Sequence, residues 1–143
     1  DLSNNKLASL SGDIFLNQTK LLELYLDSNN LTTLPADIFS SLVNLKTLYL
    51  CANKLTFLPV NIFSNLKNLF MLFQNQNSLR TLPEQIFSNL TNLHILDLSG
   101  NSLTSLHGNI FSELTCLTEL LLMRNNLTTL PEQIFRNLVG LKW

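Results

Sequence analysis

Charge is scarce in this chain. Asp, Glu, Lys and Arg make up 13% of its 143 residues, and ten acidic side chains nearly cancel nine basic ones. A typical soluble domain carries about 25% charged residues. A net charge of −1 leaves no positive footprint of the kind that nucleic acid or an anionic membrane surface requires, so neither is expected as a partner. The two cysteines, Cys51 and Cys116, are too few for a disulfide-dense scaffold or a four-thiolate zinc site. There is no P-loop, dinucleotide fingerprint, calcium loop or glycine-rich nucleophile elbow, and no cofactor or metal is expected. No apolar run approaches the ~18 residues of a membrane-spanning helix, so this segment is not expected to insert into a bilayer. No signal peptide is present, although an opening at Asp1 is compatible with a removed leader. The length suits one domain.

The abundant residues are leucine, about a quarter of the chain, and asparagine, about an eighth. That skew reflects a repeat. Phenylalanine recurs every 24 residues at Phe15, Phe39, Phe63, Phe87, Phe111 and Phe135, each preceded by isoleucine. Asparagine keeps the same step at Asn5, Asn29, Asn53, Asn77, Asn101 and Asn125. Proline follows at Pro35, Pro59, Pro83 and Pro131, with Ser11 and His107 as exceptions. Residues 1–20 form a partial repeat, then come full repeats at 21–44, 45–68, 69–92, 93–116 and 117–140, and 141–143 begin a further one.

Each unit reads L-x-x-L-x-L-x-x-N-x-L-x-x-L-P-x-x-I-F-x-x-L-x-N. In Leu21 to Asn44, Leu24 and Leu26 alternate with Glu23, Tyr25 and Asp27. This period of two predicts a short strand with one buried face. Asn29 falls where the chain must turn inward, and a buried amide there can satisfy backbone groups the strand leaves behind, so successive copies should form a ladder. Pro35 discourages regular helix, while Ile38, Phe39 and Leu42 return to the core from the other side. One such coil cannot bury its apolar edge alone. Stacked at ~4.8 Å, the coils gain a parallel sheet on one face and a continuous core behind it.

This motif resembles that of leucine-rich repeat proteins along the whole chain. The 24-residue form resembles the typical class of animal extracellular receptors, among which Toll-like receptor ectodomains and the variable lymphocyte receptors of jawless vertebrates are similar; plant receptors and bacterial effectors use different convex segments or lengths. The resemblance implies an α/β-type solenoid, a curved right-handed coil with the parallel sheet on its concave face and mostly irregular or 3-10 convex segments. It also implies an extracellular, secreted or cell-surface glycoprotein, a receptor ectodomain of innate-immunity type. The cysteine-rich caps of such receptors have no counterpart here. Gln74 stands where an inward leucine belongs, as either a buried polar group or the mark of a distorted strand. Gln18 replaces a convex leucine, and Cys116 and Gly140 replace the last asparagine of their repeats.

Strand residues that do not enter the core align into outward columns. The first holds Glu23, Thr47, Met71, Ile95, Glu119 and Trp143; the second Asp1, Tyr25, Tyr49, Phe73, Asp97 and Leu121; the third Ser3, Asp27, Cys51, Asn75, Ser99 and Met123. Tyr25, Tyr49 and Phe73 form an aromatic ladder. Met71, Ile95, Leu121, Met123 and Trp143 extend an apolar surface diagonally from it. Strand propensity and cross-strand stabilisation account for the aromatics. They do not account for methionine, isoleucine and leucine beside them on a solvent-facing sheet, where such a patch calls for a cover. Tyr, Trp, Phe and Met are also the types enriched at protein interfaces. Glu23, Asp27, Asp97 and Glu119 add an acidic rim that favours a partner with a basic edge.

Catalysis has little support. His94, Asp97 and Ser99 offer the parts of a triad, but His94 precedes the strand core and projects away from the other two. The body of the solenoid separates Cys51 from Cys116, so both are expected to be free, Cys116 packed as a small hydrophobe and Cys51 more available. N-glycosylation sequons at Asn17, Asn30, Asn89 and Asn126 avoid the three columns.

The leading expectation is a non-catalytic module binding a protein or glycan on its concave sheet. A structural or matrix protein that self-assembles, and an intracellular interaction scaffold, are the alternatives. Both ends fall inside a strand, so Leu2, Leu7, Leu10, Ile14 and Phe15 at one end and Ile134, Phe135, Leu138 and Leu141 at the other are expected to lie bare. Residues 141–143 followed by 1–20 supply 23 of the 24 positions of a repeat. The chain therefore reads as a window from a longer array, or as a unit that stacks head to tail into open filaments.

Overall fold

The computed structural model describes residues 1–142; Trp143, the last member of the first column, lies outside the described residues. Five strands, β1 (Glu23–Tyr25), β2 (Thr47–Tyr49), β3 (Met71–Phe73), β4 (Ile95–Asp97) and β5 (Glu119–Leu121), form one parallel sheet in chain order. Equivalent residues of successive repeats pair in register, Leu24 with Leu48, Leu72, Leu96 and Leu120 in turn. The leucines enforce this register. Leu24, Leu48, Leu72 and Leu96 are at most 3% exposed, and a slip by one residue would turn them all to solvent. Main-chain pairing continues past the strands, with Leu26 N donating to Tyr49 O and Ser28 N to Cys51 O. Segment 1–20 joins the same array through Leu2 N to Tyr25 O and Asn4 N to Asp27 O.

The strands end alike. Asn4, Ser28, Ala52, Gln76, Gly100 and Arg124 all take φ between 52° and 63°. This left-handed residue swings the chain inward at the same place in every coil. Only Gly100 does so without the strain a side chain brings, roughly 1–2 kcal/mol per residue.

The next residue is the repeat asparagine. Oδ1 of Asn29, Asn53, Asn77, Asn101 and Asn125 accepts from the main-chain N of Leu7, Leu31, Leu55, Leu79 and Leu103 at 3.0–3.1 Å. Nδ2 donates to the preceding coil at Leu2, Leu26, Leu50, Gln74 and Leu98 O at 2.9–3.0 Å. Each amide thus ties two coils together. Asn29, Asn53, Asn77 and Asn101 are buried; Asn125 is partly exposed, and Asn5, with no coil before it among the described residues, is exposed and donates only within its own turn.

Behind the sheet the chain returns through overlapping turns: Ile38 N to Pro35 O, Ser40 N to Asp37 O, Leu42 N to Phe39 O and Leu45 N to Leu42 O. No helix forms among the described residues. Phe39, Phe63, Phe87, Phe111 and Phe135 stack at 6.3–6.5 Å along the core.

Two expectations about the core need adjustment. The alternatives for Gln74 resolve to a buried polar group. Its side chain is fully buried and neither its Oε1 nor its Nε2 finds a partner, yet β3 keeps its register and Gln74 N still donates to Asp97 O at 2.8 Å. The ends are also less bare than expected. Phe15, Ile134 and Leu138 are 7%, 4% and 6% exposed, whereas Ile14 and Phe135 are 44% and 40% exposed. The first three point into their own coil's core, where one neighbouring coil suffices to cover them.

Candidate functional site

Strand alternation places the three outward columns on one face, and in-register pairing brings each column's members next to one another. In the middle column the rings of Tyr25 and Tyr49 stack at 4.8 Å and those of Tyr49 and Phe73 at 4.5 Å, each pair within 11° of parallel. All three rings are partly exposed, and Asp97 and Leu121 continue the column. Tyr25 Oη donates to Glu23 Oε2 at 2.8 Å. That bond, reinforced by slight burial and the Glu23 charge, raises the Tyr25 pKa above its ordinary value. Asp97 Oδ1 accepts from Ser99 N at 2.9 Å, and Ser28 Oγ donates to Asp27 Oδ2.

On either side, Met71, Ile95 and Glu119 of the first column and Ser3, Asp27, Cys51, Asn75 and Ser99 of the third are partly exposed, while Glu23 and Met123 are exposed. Thr47 does not belong among the accessible residues. It is only 5% exposed, because its short side chain sits between the longer Glu23 and Met71 and forms the floor of a groove. Charge is sorted across the molecule. Of ten acidic residues the columns hold five (Asp1, Glu23, Asp27, Asp97 and Glu119), and of nine basic ones none.

The groove was not legible as part of the face. About 440 Å³ in volume, it runs along the leading edge of the strands, lined by Glu23, Lys46, Thr47, Asn68, Phe70, Met71, Asn92 and His94. Phe70 is 41% exposed and stacks on His94 at 4.0 Å. Both occupy the second residue of their repeats, a variable position with no fixed polarity. The signal was the bulky apolar Leu22 and Phe70 there.

His94, Asp97 and Ser99 do not form a catalytic relay. Nδ1 of His94 lies 2.8 Å from Asn92 O, which makes it the protonated nitrogen, and Asp97 is engaged by the main chain of Ser99 rather than by the imidazole. Among the described residues no three His, Cys, Asp or Glu side chains come together as a metal site, and no helix is long and apolar enough to cross a membrane.

The cysteines are both free, with their accessibilities the reverse of expectation. Cys116 is exposed and Cys51 only partly so. The last position of a repeat lies on the outer surface, where Asn44, Asn68 and Asn92 reach back to carbonyls of the preceding coil, so a thiol there meets solvent. Burial, then the nearby Asp27 charge, pushes the Cys51 thiol up to about 11. Asn17, Asn89 and Asn126 are exposed and Asn30 partly exposed, all off the concave columns.

A protein-family model described as leucine rich repeat matches residues 1–50, 43–103, 75–127 and 91–143. Among solved structures, a leucine-rich repeat protein of Leptospira interrogans is 37% identical, superposes with a TM-score of 0.87, and is matched over 99% of this chain and 35% of its own. Toll, in the Toll–Spätzle complex of Drosophila, is 24% identical with a TM-score of 0.68 over 98% of this chain and 25% of its own. The chain thus spans about a third of the first protein and a quarter of the second. The 37% identity to the Leptospira protein shows that this repeat form occurs in a bacterium. No curated protein matches the chain.

Proposed function

The chain belongs to the leucine-rich repeat family, typically protein-interaction modules, and from that premise we propose that it is a non-catalytic recognition domain, part of a secreted or cell-surface receptor of immune type, that binds a protein partner on its concave sheet. One observation carries the reading: the stacked, partly exposed rings of Tyr25, Tyr49 and Phe73 amid Met71, Ile95 and Leu121. An apolar, aromatic patch on the open face of a sheet is what a partner's hot-spot residues cover, and the acidic surround steers that partner's basic groups. Toll, related in fold, is seen in complex with Spätzle, which supports a protein rather than a glycan as the ligand.

The test is a binding screen of secreted and cell-surface proteins, alongside a glycan array, with the chain and with its Tyr49→Ala, Phe73→Ala variant. Proteins that bind the first and not the second support the reading. Partners indifferent to the change overturn it, and glycans bound alone would transfer the site to a carbohydrate ligand. Cys116 favours a second reading, an intracellular scaffold, since an exposed free thiol suits a reducing compartment. Occupied glycans at Asn17, Asn89 or Asn126 of the natural protein would exclude it. Self-association without any partner, read by light scattering across concentrations, would favour a self-assembling repeat protein instead.

A further inference from the structure

We propose that the end of the ring stack, between Phe73 and Asp97, is a subsite for an arginine side chain of the protein partner; the proposal rests on the concave-face reading above. The stack runs along the sheet from Tyr25 through Tyr49 to Phe73. One face of the Phe73 ring lies against Tyr49, and the opposite face is turned toward β4. There the column does not continue with a fourth ring. It drops to the short Asp97, paired in register with Phe73, and rises again at Leu121. Phe73 and Leu121 are two strand spacings apart, roughly 9–10 Å. That gap is one position of the stack, whose rings repeat at 4.5–4.8 Å, and so has room for one further planar group.

The chemistry of the gap selects a cation with a flat, apolar-tolerant face. An aromatic face attracts a guanidinium through its quadrupole and accepts it in parallel stacking. Asp97 lies at the base of the same gap. Its Oδ1 is held by Ser99 N at 2.9 Å, which fixes the carboxylate, and among the described residues no donor engages Oδ2 and no lysine or arginine pairs with it. No column residue is basic. Lysine offers the charge without the plane; arginine offers both, with N–H groups left over for Asp97. Asp27 and Glu119 add long-range attraction for the same cation.

A random-peptide library displayed on phage, panned on the chain and on its Asp97→Asn and Tyr49→Ala variants, tests this. Asn at position 97 keeps the Oδ1 acceptor for Ser99 N, so the fold is retained and only the charge is lost. The expected result is selection of peptides with arginine beside an apolar residue. A synthetic copy of such a peptide should bind about tenfold more weakly to Asp97→Asn. Citrulline in place of its arginine should weaken binding to the chain equally, but should have little further effect on the variant, as a double-mutant cycle requires. Peptides selected without arginine, or arginine peptides indifferent to Asp97→Asn, overturn the subsite; if those peptides still depend on Tyr49, the concave reading survives alone. Peptides indifferent to Tyr49→Ala overturn the concave reading as well, and a library yielding no binder at all overturns the subsite.

Discussion

Tyr49 lies face to face with Phe73, ring centroids 4.5 Å apart, on the outward face of the sheet, where both rings are partly exposed. The same repeat places Phe63 against Phe87 at 6.5 Å inside the core. One periodicity therefore creates two aromatic stacks with opposite consequences: the inner one is consumed in folding, and the outer one leaves apolar surface for a second molecule.

Tyr49→Ala should accordingly separate binding from stability. It removes two stacking contacts on a partly exposed surface, worth roughly 0.5–1.5 kcal/mol per pair, and should weaken a concave-face partner by about 2 kcal/mol or more. Phe63→Ala, at 1% exposure, should destabilise by about 3–5 kcal/mol. Urea unfolding and a binding titration on both variants check this. A Tyr49→Ala chain that binds normally would place the site elsewhere.

The asparagine ladder predicts a graded response. Asn101→Ala removes the acceptor for Leu79 N and donors to Gln74 O and Leu98 O, all buried, and should destabilise by about 1–3 kcal/mol. Asn5→Ala, at an exposed position bonded only to Leu2 and Ser3 O, should change stability by less than about 0.5 kcal/mol. Equal losses at the two sites would show that burial is not what gives the ladder its strength.

Gln74→Leu should stabilise the chain. Both polar atoms of Gln74 are buried without a partner, whereas Leu26, Leu50 and Leu98 occupy the same position in neighbouring repeats at 0% exposure. Relief of an unpaired buried amide amounts to about 1–3 kcal/mol. A lower midpoint in urea would contradict the packing described for that position.

The two thiols should differ in alkylation. Cys116 is exposed and should react with iodoacetamide at neutral pH. Cys51, partly buried with its pKa raised from 9.0 to about 11, holds almost no thiolate there and should lag far behind. Between pH 9 and 11 the folded chain keeps a proton that the unfolded chain has released, so this group's contribution to stability falls as pH rises through that window. Peptide mapping after timed labelling of the native chain gives both rates; faster modification at Cys51 would reverse the assignment.

Much of this protein was already determined by its sequence. A 24-residue repeat without an insertion leaves one way to bury leucine, isoleucine and phenylalanine together, so the solenoid, its parallel register and the three outward columns follow from period alone. The asparagine position follows for the same reason, since a turn repeated at a fixed place needs the same amide each time. What the repeat averages away had to wait for the tertiary structure. Thr47 is closed off by the length of its neighbours, Cys116 is opened by the outward course of the convex turn, and Gln74 is buried because the coils on either side hold β3 in line whatever side chain it carries. The Phe70–His94 groove depends on how adjacent variable residues lean on each other. These are contacts between side chains of different coils at positions the repeat leaves unspecified, and only the stacking of those coils brings them together.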